Sequence, residues 1–362
     1  MKKVTFGILL ALWAALTLGA WLLPPRTLSE AERRPLAQMP EVTAKGLLSG
    51  RFMEDFEKYS LDQFPLRQSF RGIKARVSRK LFRQKDMNGI YLWSGQAAKQ
   101  EYPLNKTSAD HALGLFETIY ENHLQGAAGI YAAVVPDKNY YLAEPSGHLR
   151  MDYEVLFEKV EAGMPWAQFV DLTDTLTADS YYRTDAHWRQ EALLPTAQRL
   201  CAALGIPEPR EEDFTPAVLD RPFYGVYCGQ AALPLKPDTI TLLESETLSA
   251  CAVCDHETGK TMPVYDPAKL ASRDLYDIYL SGAKSLLTIE NPGASTDREL
   301  IVFRDSFGSS MVPLLVQGYR RITLVDIRYL KTSLLGDYLD ADGRDVLFLY
   351  STTVLNQSAA LG

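Results

Sequence analysis

Glu299-Leu300-Ile301-Val302-Phe303-Arg304-Asp305-Ser306-Phe307-Gly308 is an apolar run that ends abruptly in Asp-Ser and enters a helix-like segment. A short continuous apolar run is the pattern of a strand buried on both faces. A strand that turns directly into a helix is the repeating unit of an α/β fold with a mainly parallel sheet. The same junction would set the Ser306 hydroxyl at the sheet's carboxyl edge, beside helix N–H groups available to an oxyanion. Ser306 is therefore the candidate nucleophile.

A serine nucleophile needs a base, and the base needs an acid to orient it. Tyr182-Arg183-Thr184-Asp185-Ala186-His187-Trp188 offers both. In an extended or tightly turned segment, residues i and i+2 share a face, so Asp185 can hold the His187 imidazole while Trp188 closes the stretch.

The neighbouring segments repeat the α/β alternation. Helical patterning over 109–124 precedes Gly129-Ile130-Tyr131-Ala132-Ala133-Val134-Val135-Pro136, a buried-strand pattern ending in Asp137-Lys138-Asn139. Lys138 and Asn139 are site candidates, because polar groups past the carboxyl end of a parallel strand lie where α/β folds place ligands. Strands are expected at 166–172, 276–290, 299–303, 322–326 and 346–350, and helices at 191–204 and 311–319. Residues 207–262 are irregular and are expected to form an insertion within a domain spanning 49–362. At its start, 50–83 predicts a pair of helices, with Phe52, Phe56 and Tyr59 at core-packing spacing.

Residues 1–24 read as a signal anchor: Lys2-Lys3, then uncharged residues from Val4 to Leu23, a run long enough to cross a bilayer. The lysines favour a cytoplasmic amino terminus and an extracytoplasmic body. A cleaved signal peptide and secreted body is the alternative. Residues 25–48 are polar and proline-bearing, as in a linker. The net charge of −7 and the lack of a basic cluster strong enough to dominate it exclude nucleic acid as the expected partner. Outside the cytoplasm four cysteines favour disulfides, first Cys251–Cys254 and second Cys201–Cys228. Cys251-X-X-Cys254 with His256 lacks the ligands to complete a zinc site, so neither metal nor cofactor is expected.

Asp171-Leu172, the stretch from Tyr182 to Trp188, Asp277-Ile278-Tyr279-Leu280-Ser281-Gly282, Arg304-Asp305-Ser306-Phe307 and 322–329 together resemble the bacterial DHHW family. The likeness runs from Phe52 to Tyr350 and includes Phe64-Pro65-Leu66-Arg67. It extends, more distantly, to the SGNH-hydrolase-like domains of the alginate O-acetylation proteins. The resemblance implies a three-layer SGNH-hydrolase-like fold and a triad of Asp185, His187 and Ser306, in the reverse chain order to ordinary SGNH hydrolases. It further implies transfer of an acyl group, acetyl in the first place, to a polysaccharide acceptor, with a membrane-bound O-acyltransferase as donor partner. Trp188 would wall the pocket, and Arg183 and Tyr182 would contact sugar. Two positions depart from the family: Ala186 replaces the first histidine of Asp-His-His-Trp, and Ala283 follows Gly282 where relatives often carry asparagine. Loss of one oxyanion donor costs on the order of a hundredfold in rate. An acetyl esterase and a degenerate glycan-binding scaffold are the alternatives.

Overall fold

The computed structural model describes residues 2–29, 31–233 and 235–362. Met1 and the side chains of Lys2, Lys3 and Trp21 lie outside the described residues, and with them the charge cue to membrane orientation. The chain forms two compact units: Met1–Ile90 with Val226–Lys236, and Tyr91–Gly225 with Pro237–Gly362.

The larger unit is built on eight strands, β1 (Gly129–Val135), β2 (Gln168–Phe169), β3 (Ala252–Asp255), β4 (Lys260–Met262), β5 (Leu286–Glu290), β6 (Glu299–Arg304), β7 (Arg321–Val325) and β8 (Asp345–Ser351). Their spatial order is β4-β3-β5-β7-β6-β8-β1-β2. The block β7-β6-β8-β1-β2 is parallel, and β5, β3 and β4 extend it antiparallel. Side-chain alternation along these strands feeds two cores. Ile301, Phe303, Val346, Phe348, Ala132 and Val134 meet Phe116 and Leu156, from helices Lys106–Ile119 and Tyr153–Gly163. Leu300, Val302, Leu347, Leu349, Ala133 and Val135 meet Leu200 of helix Leu194–Leu204 and Met311 beyond β6. Helices on both faces of a mostly parallel sheet make three layers, as the α/β reading requires.

Several local expectations change. Within 207–262, β3 and β4 extend the edge of the main sheet, and Val226–Lys236 joins the smaller unit. Leu275–Ile278 is a 3-10 turn rather than the start of a strand, because Asp274 caps it by accepting the Tyr276 N–H. Residues 311–319 are mostly 3-10 helix, Val312–Gly318, with Pro313 near its start. Cys201, Cys251 and Cys254 are thiols, so neither expected disulfide pairing forms. Burial pushes the Cys201 and Cys251 thiols up to about 12 and about 11, which makes them poor nucleophiles.

In the smaller unit, the apolar stretch is helical over Lys2–Leu22. Among the described residues no helix is long and apolar enough to cross a membrane. Helices Arg51–Asp62 and Arg67–Lys80 follow, with Phe52 stacked on Phe56. The 25–48 segment is tied to them. Arg34 donates to both Asp62 oxygens at 2.6 and 2.8 Å, and Glu32 pairs with Arg67 and Arg71.

Candidate active site

The Asp-X-His stretch is a closed loop. An antiparallel bridge joins Tyr181 to Trp188, the Tyr182 N–H donates to His187 O, and the Asp185 N–H donates to Tyr182 O. Within it, Asp185 Oδ1 lies 2.7 Å from His187 Nδ1 and also accepts the His187 N–H at 3.1 Å. One oxygen thus holds both ring and backbone, which is why the two-residue spacing suffices. His187 Nε2 lies 2.8 Å from Ser306 Oγ. Ser306 sits, partly exposed, at the turn between β6 and helix Gly308–Met311, as the strand-to-helix reading expects.

Asp305, fully buried beside it, shapes that turn. Its Oδ1 accepts the Phe307 N–H at 2.9 Å, and its Oδ2 accepts the Ser351 N–H at 2.8 Å, tying the turn to the end of β8. Buried Arg304 spans the same turn through Asp305 O and Ser309 Oγ.

Tyr276, which the sequence did not single out, stacks on the His187 ring with centroids 4.0 Å apart. Its hydroxyl is 2.7 Å from Ser310 Oγ, and Phe307 packs against the imidazole at 5.1 Å. An aromatic immediately before the Asp277-Ile278-Tyr279 motif was the only available signal. For His187, burial pulls the pKa down, but the hydrogen bond and charge of Asp185, with the charges of Asp274 and Asp305, outweigh it. The net shift is upward.

The five residues expected to touch substrate fall into two groups. Trp188, Tyr182, Lys138 and Asn139 have at most 1% of their surface exposed, so they offer a ligand nothing to touch. Trp188 instead lies behind the two motifs, its indole N–H shared between Ser310 Oγ at 2.8 Å and Phe307 O at 3.2 Å. Tyr182 packs edge-on against Phe223. Lys138 Nζ donates to Ala97 O and Tyr182 O at 2.7 and 2.6 Å, bracing the loop just before Asp185. Asn139 accepts the Tyr91 hydroxyl at 2.9 Å. Arg183 is exposed and lines a polar cleft of about 670 Å³ with Gln96, Asp179, Arg189 and Glu191. Burial raises the Glu191 carboxyl there. Asp238, buried, accepts from the Arg183 and Thr184 N–H groups and the Thr184 hydroxyl. Among the described residues, no cluster of histidine, cysteine, aspartate and glutamate could hold a metal ion.

No protein-family model and no curated protein matches the chain by sequence. Solved structures do match it. A DHHW family protein from Eubacterium siraeum superposes with a TM-score of 0.60 at 21% identity, over 76% of this chain and 93% of that one. Bacillus cereus PatB1, solved with a sulfonyl adduct, superposes with a TM-score of 0.58 at 16% identity, over 74% of this chain and 95% of that one. The chain therefore has the mixed α/β, SGNH-like fold that it shares with a DHHW family protein and PatB1.

Proposed function

We propose that this is an extracytoplasmic O-acetyltransferase acting on a polysaccharide through Ser306, His187 and Asp185. The observation that carries the reading is the continuous relay from Asp185 through His187 to a partly exposed serine at a strand-to-helix turn. In this mechanism His187 Nε2 takes the Ser306 proton as Oγ attacks the acyl carbonyl, and Asp185 holds the imidazolium. The Ser306 N–H would donate to the developing oxyanion. His187 then protonates the departing group, leaving acyl-Ser306. A sugar hydroxyl, deprotonated by His187, attacks that ester and carries the acyl group away. The cleft lined by Tyr181 and Arg183, which includes neither Ser306 nor His187, would receive a part of the glycan away from the reacting hydroxyl. The body would lie outside the cytoplasm, held at the membrane by the apolar Lys2–Leu22 helix and within reach of a membrane-bound acyl donor.

The first test is turnover of an activated aryl acetate, together with labelling by a sulfonyl fluoride, chosen because PatB1 is solved with a sulfonyl adduct. Ser306→Ala is expected to abolish both, a loss of about a thousandfold or more in rate. Turnover unchanged in Ser306→Ala sinks the mechanism, and inert wild-type protein leaves the scaffold reading. Ser306 is partly exposed, so water can serve as the acceptor, and an esterase is the second reading. Oligosaccharide acceptors that divert acetyl from water identify a transferase, and their failure to compete identifies an esterase.

A further inference from the structure

Helix Arg67–Lys80 turns its amphipathic pattern inside out. Leu66, Phe70, Ile73, Val77 and Leu81 recur every three or four residues and form one stripe. All are exposed, from 40% at Val77 to 71% at Leu81. The opposite face carries small, buried Ala75 and Ser78, with Arg67 and Arg71 paired to Glu32. A continuous exposed apolar stripe marks an interaction surface.

Charge selects the partner. From Arg67 to Lys85 the chain holds Arg67, Arg71, Lys74, Arg76, Arg79, Lys80, Arg83 and Lys85 and no acidic residue, although the whole protein carries −7. At 100° per residue, Lys74 borders the stripe on one side and Arg76 and Lys80 on the other. Position points the same way. A Cβ on Gly19, near the end of the apolar helix Lys2–Leu22, would lie 3.2 Å from Pro65 Cγ, so that helix packs beside the residue preceding Leu66. The stripe thus continues from the most apolar element of the chain.

We infer that helix Arg67–Lys80 is an interfacial helix that docks on an anionic phospholipid surface, with its stripe at the acyl-chain boundary and Lys74, Arg76 and Lys80 among the headgroups. This goes beyond the acyl-transfer reading and draws on it only for the anchor. The test reconstitutes the full chain in phosphatidylcholine vesicles, with or without phosphatidylglycerol, carrying a phospholipid with a shallow photoactivatable group, and maps cross-links by mass spectrometry. Cross-links at 66–82 are expected to rise about fivefold with phosphatidylglycerol. Ile73→Ser with Val77→Ser abolishes them, and the Lys74→Glu, Arg76→Glu, Lys80→Glu variant loses the phosphatidylglycerol dependence. Cross-links confined to 4–23, or equal at 66–82 without the anionic lipid, overturn the inference. Cross-links at 66–82 without any at 4–23 uphold it and reject the anchor, so the two ideas fail separately.

Discussion

At His187 two opposed effects act on the imidazole. Burial disfavours the imidazolium, but Asp185, Asp274 and Asp305 favour it more strongly and raise the pKa above the ordinary imidazole value. A general base must be neutral, so kcat/KM for an aryl acetate is expected to rise along a limb centred above ~6.5. The linkage has the opposite sense: the stabilisation from charged His187 is complete below the unfolded pKa and disappears as pH rises through the raised folded one. Asp185→Asn should move the limb downward and lower kcat by about ten-thousandfold. A limb centred below ~6.5 in the wild type removes the assigned role. Tyr276 divides into two parts. Tyr276→Phe keeps the ring on His187 and loses only the Ser310 contact, whereas Tyr276→Ala frees the imidazole and should cost about a hundredfold in kcat with little change in KM.

The loop from Tyr181 to Trp188 keeps its shape because other elements brace it. Asp238 takes four donors from Arg183 and Thr184, and Asp238→Ala strands the two from Thr184 in a buried setting, at about 3 kcal/mol of stability. Thermal unfolding of that variant checks the figure. Gly225 lies where any side chain would collide with the loop: a Cβ there would sit 2.2 Å from Thr184 O and 2.5 Å from Asp185 Cβ. Backbone cannot rotate out of the way as a side-chain tip can. Gly225→Ala should therefore displace Asp185 and depress turnover by about a hundredfold, although the residue touches no reacting atom. Full activity in that variant means the loop tolerates movement.

For the whole molecule, the thiol state of Cys201, Cys251 and Cys254 predicts that unfolding midpoints with and without dithiothreitol coincide. A drop under reductant reveals a disulfide. Asp137, fully buried at the end of β1, supplies a pH signature. Burial raises its carboxyl to about 6, against the opposing hydrogen bonds from Thr352 and Tyr153. Because the folded pKa is raised, its favourable contribution is intact below about 4 and disappears as pH climbs through about 6. The displacement amounts to about 3 kcal/mol at roughly 1.4 kcal/mol per unit. Denaturant titrations at acid and neutral pH should show that loss in the wild type and a flatter profile in Asp137→Asn. Identical profiles refute it.

What could be read along the chain was whatever depends on neighbours a few residues apart. The strand-to-helix turn at Ser306, the two-residue reach from Asp185 to His187 and the strand leading to Asp137 all follow from backbone periodicity, and each lies where that periodicity places it. Burial and partnership do not. Trp188 and Lys138 carry groups typical of a binding site, yet they brace it from behind, because their indole N–H and ammonium found buried acceptors from distant segments. Tyr276 meets His187 only when the 3-10 turn after Asp274 packs over the loop. The thiols of Cys251 and Cys254 were equally beyond sequence, since spacing says nothing of whether two sulfurs face each other. Local geometry is written in adjacent residues; which groups end up facing solvent, substrate or one another is decided by long-range packing, where contacts distant in sequence compete for the same space.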